Sequence, residues 1–211
     1  MKKLMNYLLA GKNTPFGLNT MDDFATILES AREEDSQQYL TQNMDILVAA
    51  FGGGWMVNEC IPKFRFGTEY ISDFVIVTGQ SFSCDIVLVE LEPPTDNPFT
   101  KAGKYAKRLN DAMGQVNDWF AWIHDNQDYF HRSLAKEMDY SEAVDTGLAD
   151  SPSRGRGLDF ISAKIVIGRR KMLSDDDNKR RATILKQTNK TIEIVPYDRL
   201  LEMESKLRSK E

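Results

Sequence analysis

Cysteine is nearly absent from this chain of 211 residues, which has only Cys60 and Cys84. Two thiols without metal-ligand spacing exclude a zinc ribbon and a disulfide-stapled scaffold, and they leave reduced thiols in a cytoplasmic protein as the plain reading. An excess of basic charge is also missing. With 27 Lys+Arg against 32 Asp+Glu, the net charge is -5, so any contact with nucleic acid must rest on local patches. No apolar run approaches the ~20 residues of a membrane span. The opening "MKKLMNYLLAGK" is interrupted by Asn6 and lacks a small-residue cleavage site, so neither a signal peptide nor a membrane partner is expected. "GGGW" at 52–55 matches no phosphate-cradling glycine pattern, no nucleophile elbow occurs, and there is no internal repeat.

What is present suits one α/β or α+β domain over residues 1–211, since the hydrophobic fraction is 41% and the charged fraction 28%. Residues 1–30 read as an N-terminal extension, 31–208 as the core, and "DTGLADSPSRGRG" (145–157) as a mobile loop. Thr20, followed by Asp22 and Asp23, starts a helical region that runs to Phe51. "GGG" ends it in the left-handed geometry of a C-terminal cap. Strand-like runs follow at 55–66, 70–78 and 85–92 as an antiparallel meander. After Pro93–Pro94 a single long helix is expected over about 103–138, with Leu109, Ala112, Val116, Trp119 and Ile123 as its buried stripe. The strands "FISAKIVIG" and "TIEIV", each followed by a helix, should extend the sheet in parallel. The expected architecture is a central mixed sheet flanked by helices.

The segment "DIVLVELEPPTDNPFTKAGKYAKR" (85–108) charges the end of a buried strand twice. If strands 70–78 and 85–92 pair symmetrically, Thr78 faces Asp85, and counting outward brings Asp73 opposite Glu90, with Cβ atoms about 4.5–5.5 Å apart. Period-two alternation puts Glu92 on the face of Glu90. A one-residue slip would move Asp73 off that face. Opposed carboxylates are destabilising without a compensating cation, a raised pKa or a nearby base. A hard divalent ion answers that need, because Mg²⁺ takes one or two carboxylates and keeps positions for water and phosphate oxygens. The competing reading is a solvated sheet end. A glycoside hydrolase is disfavoured, since it needs its two carboxylates on either side of a sugar cleft.

The order helix, three-stranded meander, long helix, strand, with Asp73 on the second strand and "VELE" on the third, resembles the PD-(D/E)XK nuclease superfamily. The stretches "EYISDFVI", "VLVELEPPTDNPFTKAG", "AMGQVNDWFAWI", "IVIGRRKML" and "IEIVPYDRLL" resemble more narrowly the C-terminal domain of Shedu antiphage-defence proteins, over about Glu33 to Glu202. This resemblance implies a restriction-endonuclease-like core and metal-dependent phosphodiester hydrolysis of nucleic acid, DNA first, with Mg²⁺ or Mn²⁺ as cofactor. It implies Asp73 and Glu90 as metal ligands, although Ser72 stands where the pattern has proline. Glu92 stands where the usual lysine would be. Two readings stay open: a variant catalyst in which Glu92 aids water activation, or a degenerate centre that binds nucleic acid or a partner protein without cleaving. Lys101, Lys104 or Lys107 could supply the missing charge. The family's first-helix glutamate falls on Glu34, or failing that Glu33, and its glutamine behind the site falls on Gln115. Regulation through a homo-oligomer or a separate partner is left open.

Basic residues cluster at 101–108, 153–157, 168–171 and 179–181. The first cluster, Lys101, Lys104, Lys107 and Arg108, directly follows the carboxylates and is the one expected to face substrate phosphates. Trp119, Phe120 and Trp122 resemble a base-stacking platform in composition, but their helical spacing favours core packing.

Overall fold

The computed structural model describes residues 24–29, 32–52, 57–80, 83–138 and 160–209. The proposed cap at Thr20, the extension before residue 24 and the loop at 145–157 lie outside them. A central five-stranded sheet has the order β1-β4-β5-β6-β7. Its strands are β1 (Val57–Pro62), β4 (Phe74–Gln80), β5 (Ser83–Leu91), β6 (Phe160–Val166) and β7 (Ile192–Val195). The pairs β1–β4 and β4–β5 are antiparallel, and β5–β6 and β6–β7 are parallel. This is the expected mixed sheet, with a restriction-endonuclease-like architecture. Central strand β5 is buried without interruption from Ile86 to Leu91, as befits a strand with neighbours on both edges and helices on both faces.

Helices α1 (Phe24–Ile27), α2 (Glu33–Gln42), α3 (Met44–Phe51) and the last helix, α7 (Asp198–Arg208), cover one face. Their apolar side chains pack on Phe74, Ile76, Val87 and Val89. The other face carries α4 (Lys107–Asp125) and α5 (Gln127–Glu137), packed on Val75, Val77, Ile86 and Leu88. The buried stripe of α4 is the expected one: Leu109, Ala112, Val116, Trp119 and Ile123. Trp119 is fully buried and stacks on Phe66 with ring centroids 5.5 Å apart, so it is core and no stacking platform. A short 3₁₀ turn (Arg170–Met172) and α6 (Asp175–Gln187) link β6 to β7, and Ser174 with Asp177 forms a reciprocal capping box at the start of α6. Among the described residues no helix is long and apolar enough to cross a membrane.

Three local expectations need correction. The helix after the proline pair is two helices, because Asn126 leaves helical geometry (φ -128°, ψ 33°) and is both the C-cap of α4 and the N-cap of α5. Gly52 ends α3 in an extended conformation (φ -74°) instead of a left-handed cap. The runs 55–66 and 70–78 are each split, with β2 (Arg65–Phe66) and β3 (Tyr70–Ile71) forming a separate two-stranded ribbon. The split occurs where Lys63 adopts a left-handed φ of 49° and its N–H donates to the Asp73 carbonyl, while the Ser72 N–H donates to the Phe64 carbonyl. Irregularities of this kind re-aim side chains at a sheet's rim.

Gly168 fixes the other side of that rim. It follows β6 with φ 65°, and a Cβ there would lie 2.3 Å from the carbonyl oxygen of Asp96. Gly168→Ala should therefore destabilise the fold by more than about 1 kcal/mol, because the backbone conformation and the contact both oppose a side chain. Urea denaturation would read the loss as a lowered midpoint with an unchanged slope.

Candidate functional site

The hairpin register is the one expected. Thr78 pairs with Asp85 and the ladder runs to Phe74–Val89, so the next step outward sets Asp73 opposite Glu90. A hydrogen bond pins this end: Asp73 Oδ2 accepts the N–H of Leu91, the residue between Glu90 and Glu92, at 2.7 Å. Asp73 Oδ1 accepts from the Lys63 ammonium at 2.7 Å and from the Gln37 amide at 3.0 Å. Asp73, Glu90 and Glu92 are all buried, with 6%, 9% and 6% of their surface exposed. The strand therefore ends in carboxylates sheltered from water.

Burial and mutual repulsion dominate the site's electrostatics. Burial first, then the charges of Asp73, Glu92 and Glu33, push Glu90 up to about 9, with Lys63 opposing. Glu92 is pushed up to about 7, again by burial first and then by Glu33, with Arg108 opposing. Glu33 is raised by burial and by Asp73. The buried Tyr197 hydroxyl is likewise raised, by burial and then by Glu33 and Asp73, which sets it beside the same group. The Arg108 guanidinium lies 3.9 Å from Glu92 Oε2 and 3.8 Å from Asp96. Glu92 Oε2 is buried and accepts no hydrogen bond. That acceptor's capacity is unused.

The residues singled out in the sequence divide accordingly. Asp73, Glu90 and Glu92 are brought together at the end of β5, with Arg108 beside them. On α2, Glu34 is exposed, while Glu33 is the half-buried glutamate that senses Asp73, Glu90 and Glu92. Gln115 is half-buried and lines a groove with Tyr70, Ile71 and Asp111. Lys101 and Lys104 are exposed and have no ion pair among the described residues, whereas Lys107 pairs with Asp111 at 2.7 Å. The clusters further along the chain hold the fold: Arg169 bridges Asp198, Arg170 bridges Glu202, and Arg180 bridges Asp177. The cluster at 153–157 lies outside the described residues.

Two contributors escaped the sequence reading. Gln37 lies one turn beyond Glu33 on α2, and that helical spacing is its only signal. Lys63 was within reach of the same counting that found Asp73. Pro62 pairs with Phe74, so one further step sets Lys63 opposite Asp73. Treating 55–66 as one strand hid it.

Among the described residues no group of three or more His, Cys, Asp or Glu side chains is drawn together tightly enough to hold a metal ion. A magnesium ion needs fewer protein ligands, because one or two carboxylates suffice when water and phosphate oxygens complete the octahedron. Asp73 and Glu90 offer hard oxygen donors that are dehydrated and mutually repelling, which is the chemistry a divalent cation relieves. The donor set fits Mg²⁺ or Mn²⁺.

A family model described as "Shedu protein SduA, C-terminal" matches residues 30–201. Among solved structures, the restriction endonuclease FokI bound to DNA is similar at a TM-score of 0.39 and 14% identity. That likeness covers 84% of this chain but 26% of FokI, so the chain spans about a quarter of that enzyme's length. No curated protein matches the chain.

Proposed function

Because the chain belongs to the Shedu SduA C-terminal family, we propose that it is a metal-dependent nuclease acting in antiphage defence, with DNA as its substrate. The observation that carries this reading is the clamp of Asp73 onto the Leu91 N–H, between two carboxylates that burial keeps from water. Asp73 and Glu90 would hold Mg²⁺ or Mn²⁺, which would supply Lewis acidity at the phosphate and lower the pKa of water. In hydrolysis a water oxygen forms a new bond to phosphorus, the bond to the sugar oxygen breaks, and the departing oxygen takes a proton. Glu92, whose Oε2 accepts no hydrogen bond, is the side chain we assign to orient the attacking water and accept its proton. Gln37 fixes the rotamer of Asp73 through its 3.0 Å hydrogen bond. Lys101, Lys104 and Arg108 are assigned to backbone phosphates, as a sequence-independent electrostatic contact.

A second reading, a non-cleaving module that binds nucleic acid or a partner protein, draws support from the net charge of -5 and from Glu92 standing where the usual lysine would be. Incubation of plasmid and linear duplex with protein and Mn²⁺ separates the two. Turnover that requires the metal supports the nuclease. Tight binding with no product supports the module.

Lys101 and Lys104 give a further test. Replacing both with Ala should weaken DNA binding uniformly across sequences and shrink the salt dependence of log Kd by about 2 in slope. An unchanged salt slope would remove these lysines from the interface.

A further inference from the structure

Phosphodiester hydrolysis gathers negative charge on a group that is already anionic, so a site lined by carboxylates requires positive charge that the protein itself holds in place. Among the described residues, one ammonium contacts this carboxylate group, that of Lys63. Two bonds fix it. Its backbone N–H donates to the Asp73 carbonyl and its Nζ donates to Asp73 Oδ1, both at 2.7 Å. It also occupies a left-handed backbone position (φ 49°), where glycine or asparagine would cost less. A strained turn position filled by lysine is accounted for by what its side chain does. The Lys63 side chain is 55% exposed while that of Asp73 is 8% exposed, so the ammonium sits at the boundary between the buried carboxylates and solvent.

We propose that Lys63 is a two-position cation: in the metal-free protein it neutralises Asp73, and when a divalent ion takes Asp73 it turns to the scissile phosphate and offsets the charge that builds there. The four-carbon stem of lysine permits such a swing while the backbone stays anchored. Glu92 then needs no lysine in its own place, since the positive charge enters from the β1–β2 turn. Arg108 does not duplicate this role, because it stands 3.9 Å from Glu92 and is shared with Asp96.

The rate prediction depends on the nuclease reading, but the metal-affinity prediction does not. Lys63→Met keeps the stem and the backbone strain and removes the charge. By relieving competition at Asp73 it should tighten Mn²⁺ binding about tenfold in calorimetric titration. At saturating metal it should lower kcat on DNA by about 10²-fold or more, with KM changed less than about twofold. Lys63→Arg should restore most of the rate, and thermal melting should show both variants folded. Tighter metal binding together with slower chemistry is the signature of a displaced cation, since a merely structural lysine would weaken both. Unchanged metal affinity in Lys63→Met, or metal affinity and melting temperature lost together, would overturn the proposal. If the wild type cleaves no DNA with Mg²⁺ or Mn²⁺, the nuclease reading falls, and the affinity arm alone still decides the metal-free role of Lys63.

Discussion

Glu90→Gln should make the metal-free protein more stable at pH 8, by on the order of 3 kcal/mol, while removing metal-dependent cleavage. Glu90 is pushed from an ordinary 4.5 to about 9, first by burial and then by Asp73, Glu92 and Glu33. Below about pH 4.5 the folded and unfolded chains both carry its proton. Between there and about pH 9 the folded chain keeps a proton that the unfolded chain has released, so the unfolded state binds fewer protons and stability falls as pH rises. Glutamine carries no such proton and keeps the hydrogen-bonding shape of the neutral acid. The gain should be large at pH 8 and near zero at pH 4, in urea titrations with EDTA present. A Glu90→Gln protein with the wild type's pH dependence would show that Glu90 is ordinarily ionised and that the carboxylates are not crowded.

Asp73→Ala should do the opposite, destabilising the fold by about 3 kcal/mol or more. Asp73 accepts three hydrogen bonds, and its loss strands the Leu91 N–H at the buried end of the central strand. It also frees the ammonium of Lys63 from the chain reversal that splits β1 from β2. Two carboxylates facing each other across one hairpin thus have opposite effects on stability. Asp73 is satisfied by three hydrogen bonds, and it holds the rim together. Glu90 is buried and crowded by Asp73, Glu92 and Glu33, and a cation would relieve it. Calorimetric melting of both variants at pH 8 would read the difference as Tm shifts of opposite sign. Shifts of the same sign would show that the two side chains do not divide these roles.

Much of this arrangement was legible in the residues. Reading strands 70–78 and 85–92 as a symmetric hairpin sets Thr78 opposite Asp85, the pairing observed, and Asp73 opposite Glu90 follows by counting. The stripe Leu109–Ala112–Val116–Trp119–Ile123 was equally plain because one helical face buries it entirely. What escaped depends on backbone irregularity and on contacts between distant segments. Lys63 was hidden by a kink that strand propensity does not encode, since lysine is not a residue that announces a positive φ. The break at Asn126 was missed because helical periodicity continues through Phe130 and Leu134 on the same buried side. The choice of Glu33 over Glu34 turns on the orientation of α2 against the sheet, about 100° of rotation that adjacent glutamates in sequence do not distinguish.

The central claim is that Asp73 and Glu90 form one metal-binding centre for phosphodiester hydrolysis. Its most direct test is cleavage of duplex DNA by wild type and Glu90→Gln, each with Mg²⁺, with Mn²⁺ and with EDTA, at pH 8. Cleavage by the wild type in either metal and not in EDTA, with a loss of at least about 10²-fold in a variant that melts at a higher temperature, is the predicted result. Equal cleavage by the two proteins, or none by the wild type in either metal, would contradict it.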